Sequence, residues 1–353
     1  MFIMRYSPLE LFGYLKRERR LPPLEVILVN AGVRRDNPNL PHKIQIEHTT
    51  SCNFRCITCS RTAWATENPT DPRLNKNMTL EQFKIIHSQI PTLREVQMQG
   101  MGETFLNPNL KDILEYCRSK RIAVTSTSNA SLMDKNSNLE LIGYFKEIVF
   151  SMDSASARNF AQIRVGGQLN KTVENISRVV KEKRDKGYKT NICINSVITH
   201  LNYTEIPAMV EIAYSLGVDQ IGFVEVEHWM TPGEKGYDAE ERFINEAKTK
   251  SFEIKNLIDE EVHKYQKDYP KFRIRYESTQ KMKPTCHWPF TQAFITAEGY
   301  VTPCCLRPDP NVLNFGNINE KSFKEIWNSP QYIDFRKSMA EGESNPICDH
   351  CPR

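Results

Sequence analysis

From Lys43 onward, short apolar runs alternate with longer segments of helical character. Runs at 43–48, 94–100, 121–127, 147–152, 189–198 and 219–227 read as strands. Segments near 79–89, 109–119, 137–145, 168–187 and 203–216 read as the helices between them. Six strands alternating with helices predict parallel βαβ units with right-handed crossovers. Residues 1–42 form an extension. Ser7 caps a predicted short helix from Pro8 to Lys16, which Pro22-Pro23 ends. Residues 229–283 read as a connector: a loop at Thr231–Gly236, then a charged helical stretch, about 239–267, expected near the mouth of the site. In 284–353, Phe294-Ile295-Thr296 and Tyr300-Val301-Thr302 flank Ala297-Glu298-Gly299 as a hairpin. A helix from Ser322 to Asn328 follows.

Alternation within strands sorts side chains by face. In the fifth strand Asn191, Cys193 and Asn195 share one face and Ile192 and Ile194 the other. The isoleucines suit a helix-covered exterior, which turns the polar set inward. In the sixth, Glu225 and Glu227 share a face, two carboxylates able to bind hydroxyls or accept a proton.

Composition changes this picture little. The chain has 353 residues, 39% hydrophobic and 25% charged, with a formal charge of +4. That balance gives no basis for a nucleic-acid partner, and the one compact basic run, Lys16–Arg20, reads as a solvated helix end. No apolar stretch approaches the roughly 18 residues of a membrane span, and the first residues lack a signal peptide's features. The expectation is a cytoplasmic protein. Eight of its ten cysteines fall in two groups, which suggests metal ligands rather than disulfides.

Cys52, Cys56 and Cys59 lie just after the first strand, spaced C-x3-C-x2-C. Three thiolates can hold three irons of a [4Fe–4S] cubane, which normally takes four. The fourth iron would keep an open position for something else. Three cysteines with a distant fourth ligand also suit zinc. The spacing resembles that of the radical S-adenosylmethionine (SAM) family. The resemblance implies a partial (β/α)6 TIM-like barrel, SAM chelated to the open iron, a flavodoxin- or ferredoxin-type reductant, and a 5′-deoxyadenosyl radical that attacks a small-molecule substrate.

The same resemblance assigns SAM contacts. Gly100, Gly102 and Glu103 occupy the family's glycine-rich element after the second strand, with Thr104 where Pro is usual. Asn129 lies in a turn like the family's Thr-Asn-Gly. Ser151, at the end of the fourth strand, and Arg164 correspond to contacts with the SAM carboxylate and ribose. A guanidinium suits a carboxylate because it donates paired hydrogen bonds. Some radical SAM epimerases return a hydrogen atom from a cysteine thiol, and Cys193 is the best-placed unassigned thiol for that role here.

The second group holds Cys286, Cys304, Cys348 and Cys351, with Cys305 spare. Four thiolates including a C-x2-C pair suit either a [4Fe–4S] cluster or zinc. The pattern resembles a truncated SPASM domain, often called Twitch, with one auxiliary [4Fe–4S] cluster. The division expected is 1–42 extension, 43–228 barrel, 229–283 connector and 284–353 auxiliary domain. The leading expectation for function is SAM-dependent radical oxidation of a sugar, aminocyclitol or polyol, the auxiliary cluster accepting an electron and a barrel carboxylate the proton. Redox-neutral epimerisation and radical modification of a peptide or protein side chain are the alternatives.

Overall fold

Lys43–Ile46 (β1), Glu95–Met98 (β2), Ala123–Ser128 (β3), Glu147–Ser151 (β4), Asn191–Ile198 (β5) and Gln220–Glu225 (β6) pair in sequence order, all parallel. The computed structural model describes residues 39–226, 244–266, 271–277, 286, 288–341, 343 and 347–348. The helix expected at Pro8–Lys16, Glu227, the Thr231–Gly236 loop and Cys351 lie outside the described residues.

Each crossover carries a helix whose apolar stripe covers the sheet. Leu80–Gln89 starts with a capping box, Thr79 and Gln82 each bonding the other's backbone. Leu110–Ser119 buries Leu110, Ile113, Leu114 and Cys117 on one side. Leu169–Lys186 and Ile206–Leu216 end on Gly187 and Gly217, whose φ of 67° and 74° few other residues adopt at low cost. The strands' outward residues, among them Ile44, Ile46, Val96, Ile148, Ile192 and Ile194, are fully buried beneath these helices. This is an α/β partial barrel of the kind expected.

The sheet extends past six strands on both sides. Arg273–Glu277 (β7) adds parallel to β6, inside the segment expected to be only a connector. On the other edge, Phe294–Ile295 (β8) adds parallel to β1 and pairs antiparallel with Val301–Thr302 (β9), the expected hairpin. The C-terminal region is therefore continuous with the barrel sheet. Its helix Phe323–Trp327 is tied to the barrel helix through Gln89, which accepts from Phe323 N at 2.6 Å.

A second correction concerns the charged helix Ser251–Gln266. It packs on Ile206–Leu216 and β7, on the barrel's flank, whereas Ile244 and Ala247 just before it pack against Val197 and Val226 at the barrel's mouth, as expected for the stretch. Ile254, Ile258 and Tyr265 are buried there, and Tyr265 meets Tyr214 and Phe272 at 5.1 and 5.7 Å between ring centres. Burial of this apolar stripe decides the position; the charges other than the buried Glu261 face outward.

The barrel's N-terminal end is closed by Lys43, Glu95, Lys146, Glu147, Asn191 and Arg273 around a polar cavity. Glu95 pairs with Lys43 at 3.0 Å and Lys146 at 2.5 Å. The functional cavity lies at the opposite end, where chemistry collects in barrels of this type.

Candidate active site

β1 leads through Glu47–Thr50 into the loop carrying Cys52, Cys56 and Cys59, and Cys59 N-caps the helix Ser60–Glu67. The loop is fixed by its backbone: Arg55 N donates to Val165 O at 2.8 Å and Ile57 N to Ile163 O at 3.0 Å. Arg61 braces its base, donating to Thr50 O at 2.6 Å and Leu74 O at 3.0 Å. The three thiols are half-buried. Burial raises the pKa of Cys52 and pushes Cys56 up to about 12, with Arg164 pulling Cys56 back. Iron binding would supply the positive charge that turns them into thiolates. Among the described residues no three His, Cys, Asp or Glu side chains close around a single ion. A cubane asks for less, one thiolate per iron. Three thiols on one braced loop, with a guanidinium beside them, fit it.

The exit of β2 presses against that of β1. A Cβ on Gly102 would stand 2.4 Å from Thr49 O and 2.9 Å from Ser51 O, and one on Gly100 would stand 2.4 Å from Glu47 Cγ. Both glycines are thus required by the protein's own packing. Glu103 is buried, with Oε1 accepting from Ser128 Oγ at 2.8 Å and Phe105 N at 3.2 Å, and Oε2 accepting from Asn129 N at 2.7 Å. Burial raises its pKa against those bonds. Glu103 thereby fixes the turn after β3, where Asn129 Nδ2 reaches Asn53 Oδ1 at 2.9 Å in the cysteine loop. Ala130 adopts φ 63°, a glycine-like conformation in the place where the resembling turn carries Gly.

Arg164 donates to Asp153 Oδ2 at 2.6 Å, and its Nη1 lies 3.9 Å from Cys56 Sγ. Burial opposes its charge, and Asp153 and the Cys56 thiol outweigh burial, so its proton is held more tightly than usual. Sequence reading did not single out Asp153, although its anchor on Val197 N at 2.9 Å orients the pair.

A cavity of about 280 Å³ opens between these parts. Gly100, Ser151 and Arg164 line it, as do the amides of Gln45, Gln97, Gln99 and Asn195. Glu225 lines it and accepts from the Tyr276 hydroxyl of β7. Glu47, Trp288, Cys305 and Leu306 also line it, and Val149, Val197, Val224, Val226 and Phe294 give it an apolar part. None of Gln45, Gln97, Gln99 and Glu47 was singled out from sequence, although alternation along β1 and β2 puts Gln45 and Glu47, then Gln97 and Gln99, on common faces.

Cys193 is brought elsewhere. Its place on β5, level with Val149 and Gln220, lies between the two cavities, and it lines neither. It accepts from Asn191 Nδ2 at 3.1 Å, and burial pushes its thiol up to about 12.

In the C-terminal region, Cys286 and Cys304 both act electrostatically on Tyr332, whose hydroxyl burial pushes up to about 12. Arg307, in an isolated β-bridge with Cys304, donates to Ile347 O at 2.8 Å, one residue before Cys348. Arg336, fully buried, donates to Pro289 O and Trp327 O at 2.7 Å each and lies over the Trp327 and Tyr332 rings. It ties the segment after Cys286 to the helix Phe323–Trp327. Among the described residues no three His, Cys, Asp or Glu side chains close around one ion here, and Cys305, next to Cys304, lines the main cavity.

Comparisons with known proteins agree with this geometry. The radical SAM superfamily model matches residues 46–213, and the model of the SPASM iron–sulfur cluster-binding domain matches 286–352. The chain is 25% identical over 331 residues to the tungsten-containing aldehyde ferredoxin oxidoreductase cofactor-modifying protein of Pyrococcus furiosus, covering 87% of this chain and 86% of that one. It is 22% identical over 333 residues to the AdoMet-dependent heme synthase of Methanosarcina barkeri, covering 89% of each. Among solved structures it resembles Streptococcus suis SuiB bound to S-adenosylmethionine, with a TM-score of 0.66 and 19% identity over 94% of this chain and 74% of that one. It also resembles anSMEcpe with bound AdoMet, with a TM-score of 0.60 and 17% identity over 84% and 79%.

Proposed function

The chain belongs to the radical SAM superfamily and carries a C-terminal SPASM iron–sulfur domain, and from that premise we propose that it oxidises a small hydroxylated substrate, a sugar, aminocyclitol or polyol, to a carbonyl compound. When bound, SAM on the reduced [4Fe–4S] cluster supplies a 5′-deoxyadenosyl radical, and the auxiliary cluster supplies an electron acceptor. Cys52, Cys56 and Cys59 would hold the first cluster; Cys286, Cys304, Cys348 and Cys351 would hold the second. Arg164 offers its guanidinium to the SAM carboxylate, and Ser151 its hydroxyl.

The observation that carries this reading is the lining of the main cavity. Gln45, Gln97, Gln99 and Asn195 present amides, and Glu47 and Glu225 present carboxyls. Such a wall pairs with many hydroxyls in a small volume, and an unpaired substrate hydroxyl is costly to bury. Positioning matters most, because the radical attacks the C–H bond held nearest to it. Cys305, next to the proposed cluster ligand Cys304, lines the same volume, which supports the reading.

One observation favours a second reading. Redox-neutral inversion needs a thiol in the cavity, and Cys305, unlike Cys193, lines it. The relatives act on varied targets by their names, a tungsten enzyme's cofactor and heme among them, so family membership alone does not choose.

The test uses anaerobically reconstituted enzyme, SAM, dithionite and a panel of polyols and aminocyclitols in heavy water. Oxidation predicts one 5′-deoxyadenosine per carbonyl formed, with no solvent deuterium on the reacting carbon. Deuterated product of unchanged oxidation level contradicts it and selects the thiol reading.

A further inference from the structure

Glu47 is the first residue beyond β1. Its side chain is 4% exposed. It lines the main cavity and also a neighbouring cleft of about 260 Å³ between the helix Ser60–Glu67 and the turn after β8. Met101 and Pro308 are shared by the two linings, so the carboxyl stands in the wall between them. Its Oε1 accepts from Met101 N at 3.1 Å and its Oε2 from Ala297 N at 3.4 Å. One amide comes from the β2 exit and the other from the C-terminal region. The absent side chain of Gly100 makes the space, since a Cβ there would lie 2.7 Å from Glu47 Oε1. Among the described residues no cation forms a salt bridge with it.

We propose that Glu47 is the proton acceptor of the oxidation. The proposal rests on the reading that a hydroxylated substrate occupies the main cavity. In the step, the substrate carbon has lost its hydrogen atom to the 5′-deoxyadenosyl radical as a C–H bond of 5′-deoxyadenosine. The alcohol O–H bond then breaks and its proton goes to the Glu47 carboxylate. The unpaired electron goes to the oxidised auxiliary [4Fe–4S] cluster, and the C–O bond becomes C=O. Among the described residues Glu225 is the other carboxyl lining the cavity, and it accepts from the Tyr276 hydroxyl. That suits Glu225 to binding a hydroxyl.

The environment places the titration of Glu47 where a base is useful. Burial pushes its pKa up to about 7; the Met101 and Ala297 amides draw it back, Glu298 raises it and Arg73 lowers it. Glu67, Lys76 and Asp309 face the same cleft, and Arg164 and Glu225 face the main cavity. A base works best with a pKa near the operating pH.

Glu47→Gln keeps the shape and removes the base. Infrared spectra of the substrate-free holoenzyme, titrated from about pH 6 to 8.5, should show a protonated-carboxyl band that fades near pH 7 in wild type and is absent in E47Q. With a polyol that wild type oxidises, product formation in wild type should rise through about pH 7. In E47Q it should fall on the order of 100-fold and lose that rise, while 5′-deoxyadenosine per product increases. Gly100→Ala, which displaces the carboxyl, should reproduce the loss. Equal oxidation and an equal pH profile in E47Q overturn the proposal, as does an unchanged infrared band. If wild type oxidises none of the panel, the oxidation reading itself has failed, and the proton-acceptor role falls with it.

Discussion

Arg164 and Asp153 form a buried ion pair beside Cys56: Nε to Oδ2 is 2.6 Å, with side-chain exposures of 12% and 0%. The pair links the fourth strand, the fifth through Val197 and the cysteine loop. It presents a fixed positive charge where SAM's carboxylate is expected.

Arg164→Met should leave Asp153 buried without its partner. Breaking such a pair costs about 3–5 kcal/mol. Anaerobic thermal unfolding should show a large fall in midpoint, and equilibrium dialysis should show weakened SAM binding. Adding Asp153→Asn should restore part of the stability and none of the SAM affinity, because the two losses have different origins. Recovery of both would remove Arg164 from SAM recognition.

Glu47 should make stability depend on pH. Its folded pKa of about 7 lies above the ordinary 4.5. The stability it contributes is therefore complete below about pH 4.5 and is lost as pH rises through about 7. The shift corresponds to roughly 3 kcal/mol. Urea unfolding at pH 6 and 8.5 should show wild type weakening with pH and Glu47→Gln weakening much less. Parallel declines would contradict the burial argument.

Cys193 and Cys305 should behave differently from an epimerase's donor. Under the oxidation reading, Cys193→Ala and Cys305→Ala both keep carbonyl formation within a few-fold. Product assays with deuterium analysis check this. Loss of product in Cys305→Ala with continued 5′-deoxyadenosine formation would favour hydrogen return from that thiol.

Arg336→Leu should loosen the C-terminal frame selectively. Pro289 O and Trp327 O lose their donors, a loss of roughly 2–4 kcal/mol for two buried acceptors. Iron analysis should show the auxiliary cluster diminished and the first cluster's electron-paramagnetic signal retained. Full iron content in Arg336→Leu would contradict this role.

The barrel strands were legible because their alternation reports directly which side faces the helices: β4, for example, spans Glu147–Ser151 within the expected 147–152. The cysteine loop was legible because ligand spacing is a local property. β7 was not, since Arg273-Ile274-Arg275-Tyr276-Glu277 carries charges at three of five positions and becomes a strand only by pairing with β6. The helix Ser60–Glu67 was missed because it buries no residue and has little apolar stripe. Cys193 was correctly turned inward, but alternation gives the face and not the depth along the barrel axis. Glu47 was missed because its environment is assembled from Gly100, Met101 and Ala297, all far away in sequence.

Iron and acid-labile sulfide per chain, measured after anaerobic reconstitution in wild type and in the Cys52/Cys56/Cys59→Ala variant, test the central claim most directly. Two [4Fe–4S] sites with separate ligands predict about eight irons falling to about four. About four falling to none, with zinc retained by the C-terminal cysteines, would leave the oxidation without its electron acceptor and contradict the account.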